Sequence, residues 1–135
     1  MTSQLNVDTI VDKAGSGGSN VKMANTSTYV SDGGAVSQNT VQGLAKAWVY
    51  YQTQSVTNSL NVTSGVDTSA GVFDVNFAND FSNDDWSGHH TTGYQQPYIS
   101  DTNRGAGTVK LVNRSGDQTL VDASHGHGTF HGDLA

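Results

Sequence analysis

The chain contains no cysteine, so disulfide bonds and thiolate metal sites are excluded. It contains no glutamate either: all twelve acidic residues are aspartates. Glutamate is one of the residues that normally fill exposed helix faces, and its absence removes one of the commonest helix formers. Only one proline is present against sixteen glycines, so the turns must rely on Gly, Asn and Asp. Basic residues number six and are scattered, giving a net charge of −6. That balance supplies no basic patch for a phosphate backbone and argues against nucleic acid as a partner. No run approaches the ~18 apolar residues of a membrane span. The first residues lack the basic and apolar regions of a signal peptide, which sets the expectation of a chain made in a cytoplasm.

What remains is a sequence of 135 residues rich in Thr, Ser, Asn, Asp, Gly and Val, a composition suited to strands joined by tight turns. Hydrophobic residues make up 34%, enough for a thin two-layer core but not a large one. Association with further copies would cover more apolar surface.

Residues 1–40 are poor in large apolar side chains and contain Gly15-Ser16-Gly17-Gly18 and Ser31-Asp32-Gly33-Gly34, which read as flexible or turning backbone. A short strand is expected around Val7, Thr9 and Val11. An arm of this kind cannot form its own core, so it either stays mobile or packs on a partner. Leu5, Val7, Ile10 and Val11 are its candidate anchors.

Residues 41–135 read as the folded domain. Ala45, Ala47, Val49 and Tyr51 share one strand face, with Lys46, Trp48 and Tyr50 on the other. A second strand is expected to start at Leu60-Asn61-Val62. Val66 to Gly71 is expected as a turn, and Val72 to Phe77 as the return, burying Phe73, Val75 and Phe77. The pattern weakens from Trp86 to Pro97, where His89-His90 is read as a surface loop. Thr108–Val112 and Thr119–Ala123 are expected to pair as a hairpin around Arg114-Ser115-Gly116-Asp117, and Thr129 to Leu134 to close the domain. The fold class expected is all-β, an antiparallel β-sandwich or small barrel with an extended N-terminal arm.

Few residues offer chemistry. His125 and His127 stand two apart in the last strand and therefore on one face, together with His131. Imidazole is a good metal ligand, but two per chain do not close a site; an exposed polar strand face is the other reading. Asp84 and Asp85 beside Trp86 form one acid–aromatic cluster of the type a glycosidase uses, in a domain with little room for its cleft. Asp80, Asp84 and Asp85, and likewise Asp101-Thr102-Asn103-Arg104-Gly105, are read as Asp/Asn turns rather than calcium loops. No phosphate loop or nucleophile elbow is present, so no catalytic residue and no cofactor is expected. Trp48, Tyr50, Tyr94 and Tyr98 are candidates for a subunit interface or glycan contact, because aromatics are enriched where surfaces bind.

The order of Leu5-Asn6-Val7-Asp8-Thr9-Ile10, Gly43-Leu44-Ala45-Lys46-Ala47-Trp48-Val49-Tyr50-Tyr51, Gly71-Val72-Phe73-Asp74-Val75-Asn76-Phe77 and Val109-Lys110-Leu111-Val112-Asn113-Arg114-Ser115-Gly116-Asp117 resembles bacteriophage tail-fibre and appendage proteins of marine and cyanobacterial phages. The resemblance implies a non-enzymatic virion structural protein assembled in the host cytoplasm. It implies an attachment role for residues 1–40, a distal β-rich domain at 41–135 and a homotrimer. Its partners would be a tail adaptor, nozzle or capsid protein, with a host surface glycan as a further ligand. It also implies that a three-fold axis would gather His125 and His127 from three copies around a metal. The chain departs from longer appendages in having almost no shaft, which keeps a capsid decoration, cement or head-fibre protein, and a carbohydrate-binding module, as alternatives.

Overall fold

The computed structural model describes residues 28–30, 37–39, 43–93 and 95–135. The chain divides into two units, 1–41 and 42–135. In the first, β1 (Thr28–Val30) pairs antiparallel with β2 (Ser37–Asn39). The sequence reading had no strands there. The strand expected at Val7 to Val11, and Leu5 and Ile10 with it, lie outside the described residues.

The second unit is a β-sandwich of two four-stranded antiparallel sheets and not a closed barrel. Its strands are β3 (Ala47–Gln52), β4 (Ser55–Leu60), β5 (Val62–Ser69), β6 (Val72–Phe77), β7 (Ser87–Thr92), β8 (Gln96–Ser100), β9 (Thr108–Arg114) and β10 (His125–His131). One sheet has the order β4-β3-β10-β7 and the other β5-β6-β9-β8. A 3₁₀ turn, Asp101–Asn103, follows β8 and is capped by the Ser100 side chain.

The core follows from period-two alternation. Ala47, Val49 and Tyr51 from β3, Phe73, Val75 and Phe77 from β6, Val109 and Leu111 from β9, and Phe130 from β10 point between the sheets and are buried. Phe81 and Trp86, on the connection from β6 to β7, complete an aromatic end to this core. Phe77 meets Phe81, Trp86 and Phe130 edge-on, with ring centroids 5.0 to 6.1 Å apart. These T-shaped contacts match the aromatic quadrupoles and add to area burial.

Several sequence expectations are corrected. The β3–β4 hairpin turns at Thr53 and Gln54, both in the left-handed region at φ 44° and 59°. Hairpin turns of this kind favour Asn-Gly, so nothing in Thr-Gln announced one, and β4 went unseen. The strand expected from Leu60-Asn61-Val62 starts at Val62 as β5; Leu60 ends β4, and Asn61, at φ 55°, separates the two. Val66 to Ser69 is strand rather than turn, and the reversal is confined to Ala70 and Gly71, where Gly71 takes φ 71°.

Thr119 to Ala123 does not form a hairpin strand. The local turn does exist: the Ser115 amide donates to the Thr119 carbonyl at 2.9 Å. However, β6 and β8 already occupy both edges of β9, and only its last residues, beyond the partner of Val72, have an edge free on the β6 side. The returning segment meets β9 there alone, as an isolated bridge between Arg114 and Leu120. The weak stretch from Trp86 to Pro97 holds β7 and the first residues of β8, so His89-His90 is strand and not loop.

Candidate functional site

The residues that face inward on β10 explain the surface that faces outward. Gly126, Gly128 and Phe130 point into the sandwich; His125, His127, Thr129 and His131 point away. A side chain at Gly126 would collide with the Tyr51 hydroxyl, and one at Gly128 would lie 2.9 Å from the Phe130 ring. The close approach of core aromatics therefore requires glycine, and it fixes which side of β10 the histidines occupy.

The outer face of the β4-β3-β10-β7 sheet is then set by register. Trp48 lies between Leu60 on β4 and Thr129 on β10. Tyr50 lies between Asn58 and His127, and Gln52 is opposite His125. On the far side of β10, His89 pairs with Thr129, Thr91 with His127, and Ser87 with His131. The Tyr50 and His127 rings stack, with centroids 4.7 Å apart and planes at 22°. Gln52 Nε2 donates to Tyr50 Oη at 2.6 Å, which helps hold the tyrosine in place. Leu60 is 48% exposed beside the half-buried Trp48. The strands β3, β4, β7 and β10 contain no aspartate, glutamate, lysine or arginine. Within these four strands the face is thus a platform of aromatic, imidazole and hydroxyl groups, with Lys46, in phase with Trp48 and Tyr50, just before β3.

This surface unites four of the residues singled out from sequence: Trp48, Tyr50, His125 and His127. It keeps His131 on the face of His125 and His127, as expected, and adds His89 and Leu60, which sequence reasoning missed as members of the site. Tyr98 is elsewhere, on β8 of the other sheet, where Arg114 Nη2 donates to its hydroxyl at 3.2 Å and the guanidinium lies 5.3 Å from its ring centre. Tyr94 lies outside the described residues. His125 and His127 do share a strand face. Among the described residues no three His or Asp side chains gather to hold a metal.

Beneath the platform lies a buried polar link between the two sheets. Asn113 Nδ2 donates to Tyr51 Oη at 3.3 Å, and Tyr51 Oη is 2.9 Å from His90 Nε2. His90 Nδ1 is 3.4 Å from the Tyr98 carbonyl, which can only accept. Nδ1 therefore carries the proton, Nε2 offers its lone pair, and the Tyr51 hydroxyl donates to it. Burial of the ring lowers the His90 pKa to about 4, and burial likewise raises that of Tyr51. The pair is neutral near pH 7 and braces β3, β7, β8 and β9 from inside.

Two open clefts flank the sheet. One, of about 320 Å³, is lined by Ser82, Asn83, Asp85, Ser87, His131 and Asp133. The other, of about 330 Å³, is lined by Thr53, Gln54, Asp67, Asp122 and Ser124. The acid–aromatic cluster is divided by the fold. Trp86 is 1% exposed, with its Nε1 donating to the Gly105 carbonyl at 2.9 Å and Arg104 4.4 Å above its ring, so it forms no sugar-stacking wall beside Asp84 and Asp85.

Fold and surface together define a two-sheet antiparallel β-sandwich that presents an aromatic and imidazole face. No protein-family model matches the chain, and no curated protein matches it in sequence. In structure it is similar to the phage tailspike phiAB6, solved in complex with three-repeated oligosaccharides of Acinetobacter baumannii surface polysaccharide. The TM-score is 0.52 at 14% identity; the match covers 98% of this chain and 30% of the tailspike chain. At that identity the likeness is one of fold, and the chain spans less than a third of the tailspike's length.

Proposed function

We propose that the protein is a tail-associated structural component of a phage virion that adheres to host surface polysaccharide through the outer face of the β4-β3-β10-β7 sheet. The observation that carries this reading is the platform of Trp48, Tyr50 and His127. Flat rings held in a stack present the kind of rigid apolar surface on which the C–H face of a sugar ring packs. The hydroxyl and imidazole groups around them, from Thr91, Thr129, His89 and His125, supply directional hydrogen bonds. The likeness of the fold to a tailspike whose structure holds bound oligosaccharides supports the same reading.

In this proposal the domain binds rather than catalyses, and the chain works as a homotrimer. Residues 1–40 attach it to a virion protein, with Leu5, Val7, Ile10 and Val11 as anchors. Burial of a few such side chains contributes several kcal/mol at about 25 cal/mol per Å², which must offset the entropy of ordering the arm. Multiple copies on a symmetric particle add avidity.

The adhesion role is tested by a glycan array probed with the full chain and with Trp48→Ala. Binding that is present in the first and lost in the second supports the site; equal binding of both places adhesion elsewhere. The arm is tested by deleting residues 1–40. Loss of the chain from assembled particles is expected, and full incorporation of the truncated chain removes the attachment role.

A further inference from the structure

We infer that the cleft at the His131 end of the platform is a second subsite of the same glycan-binding surface, and that the sugar it takes is neutral and rich in hydroxyls. The inference rests on the adhesion reading and names the class of polysaccharide. The cleft, of about 320 Å³, is continuous with the platform. Two of its lining residues, Ser87 and His131, are also a cross-strand pair of β7 and β10. Ser87 shares a strand face with His89, and His131 shares one with His127 and Thr129. Platform and cleft therefore have a wall in common.

The opposite wall comes from the connection between β6 and β7, laid against residues 133–135. The Ser82 amide donates to the Asp133 carbonyl at 2.8 Å, and the Ala135 amide donates to the Asp80 carbonyl at 2.9 Å. Between them Phe81 and Leu134 form an isolated antiparallel bridge. Asn83 Oδ1 accepts from the Asp85 amide at 2.9 Å, and Arg104 Nε donates to the Asp84 carbonyl at 2.9 Å. Phe81 and Trp86 are buried behind this wall. Gly132 lets the chain lie against both, since a Cβ there would sit 2.8 Å from Trp86 Cβ and 2.9 Å from the Phe81 ring. A cleft held in this way is formed before the ligand arrives, which lowers the ordering cost of binding.

The groups lining the cleft suit hydroxyls. The carboxylates of Asp85 and Asp133 are acceptors. Asn83, with its Oδ1 engaged by the Asp85 amide, keeps Nδ2 as a donor, and the Ser87 hydroxyl and His131 ring can each donate or accept. A sugar hydroxyl is itself donor and acceptor, so this mixture can satisfy neighbouring hydroxyls of one ring. A uronate or phosphate has no proton to give a carboxylate, and would meet two like charges on a chain of net charge −6. Lys46 continues the His131 row on the β3 side, where its amide donates to the Phe130 carbonyl at 2.8 Å. It already has an interaction partner, and one ammonium does not outweigh two carboxylates inside the cleft. Thr129, beside Trp48, and His131 are two residues apart on β10, about 7 Å. A ring stacked on Trp48 therefore leaves the cleft to another sugar of the same chain.

The test uses the full chain on an array of bacterial surface polysaccharides, some neutral and some bearing uronate or phosphate, with affinities measured by biolayer interferometry at neutral pH. The polysaccharides bound in a Trp48-dependent way are expected to be neutral. Asp85→Ala is expected to weaken their binding about tenfold, the effect of losing a hydrogen bond to a charged acceptor. Asp85→Lys is expected to weaken neutral glycans further and to improve binding of the uronate-bearing ones. Asp85 is exposed and its backbone bond to Asn83 survives substitution, so thermal melts of both variants should match the wild type. Free monosaccharides of the bound polymer are expected to compete far more weakly than its oligosaccharides, because one ring does not reach both subsites.

The inference is overturned if the bound polysaccharides are the uronate- or phosphate-bearing ones, if folded Asp85→Ala and Asp85→Lys variants bind as the wild type does, or if monosaccharides compete as well as oligosaccharides. In each of these cases, binding that Trp48→Ala abolishes would leave the adhesion reading standing while this inference falls. An array on which no polysaccharide binds overturns both.

Discussion

The two outer faces of the sandwich are built on the same core, yet they handle polar groups in opposite ways. On the β5-β6-β9-β8 sheet Lys110, Asp74 and Arg114 meet partners within the face. Lys110 Nζ lies 3.9 Å from Asp74 Oδ1, Arg114 covers Tyr98, and Asn76 Nδ2 donates to Ser64 Oγ at 3.0 Å. On the β4-β3-β10-β7 sheet there is no fixed charge to pair, and rings and imidazoles lie open in its place. The first arrangement closes a surface on itself; the second leaves hydrogen-bonding and stacking capacity for something else. Sheet topology is therefore not what distinguishes the candidate binding face. The distinction lies in the alternate residues of β3, β7 and β10.

The comparison is broken most severely from inside. Gly126→Val is expected to destabilise the domain by about 3 kcal/mol, the upper range for overpacking, because the new side chain must displace Tyr51. Urea unfolding of the variant measures this, and the binding face should be lost with the fold.

A comparable effect is expected from pH. The His90 ring is held at a pKa of about 4 against 6.5 for an unburied imidazole. The unfolded chain therefore takes up this proton first as the pH drops. Stability from this group is complete above about pH 6.5, declines below it, and is lost by about pH 4, amounting to about 3 kcal/mol at 1.36 kcal/mol per pKa unit. Urea titrations across that window should show the loss in the wild type and a flatter profile in His90→Gln.

A smaller and more selective effect is expected on the face itself. Trp48→Ala should weaken glycan binding about tenfold, the equivalent of 1.4 kcal/mol, with the β-rich circular dichroism spectrum unchanged. The least effect belongs to the opposite face. Lys110→Met should change stability by under about 1 kcal/mol, in line with partly exposed ion pairs, and leave glycan binding intact. A large loss of glycan binding in that variant would reverse the assignment of the two faces.

How much of this was legible in the sequence depended on whether side chains announced the backbone. The alternation of Val72 to Phe77 and of Ala47 to Tyr51 was legible because large apolar residues recur at every second position. So was the outward direction of His125, His127 and His131, since Gly126, Gly128 and Phe130 occupy the other phase. Strand β4 was hidden by a left-handed Thr53-Gln54 turn without glycine or asparagine. Strand β7 was hidden because its inward positions are Gly88, His90 and Thr92, none of which reads as core. His90 becomes interior only through partners distant in sequence, Tyr51 and the Tyr98 carbonyl, which no local pattern reveals. The joining of Trp48 and Tyr50 with the histidines into one surface likewise required the β3–β10 register, a long-range pairing of the chain's beginning and end.

Strand β10 also offers a way to rewrite the protein. Its inward positions are committed by close contact with Tyr51, Val49 and Phe130. Its outward positions, with Trp48 and Tyr50 beside them, touch the sandwich through their backbone and their lateral neighbours. A combinatorial library varying His125, His127, Thr129 and His131 would therefore sample new ligand chemistries while the interior stays constant. Selection from such a library against different polysaccharides would turn one strand into an exchangeable cassette, in which recognition is altered residue by residue without redesigning the scaffold.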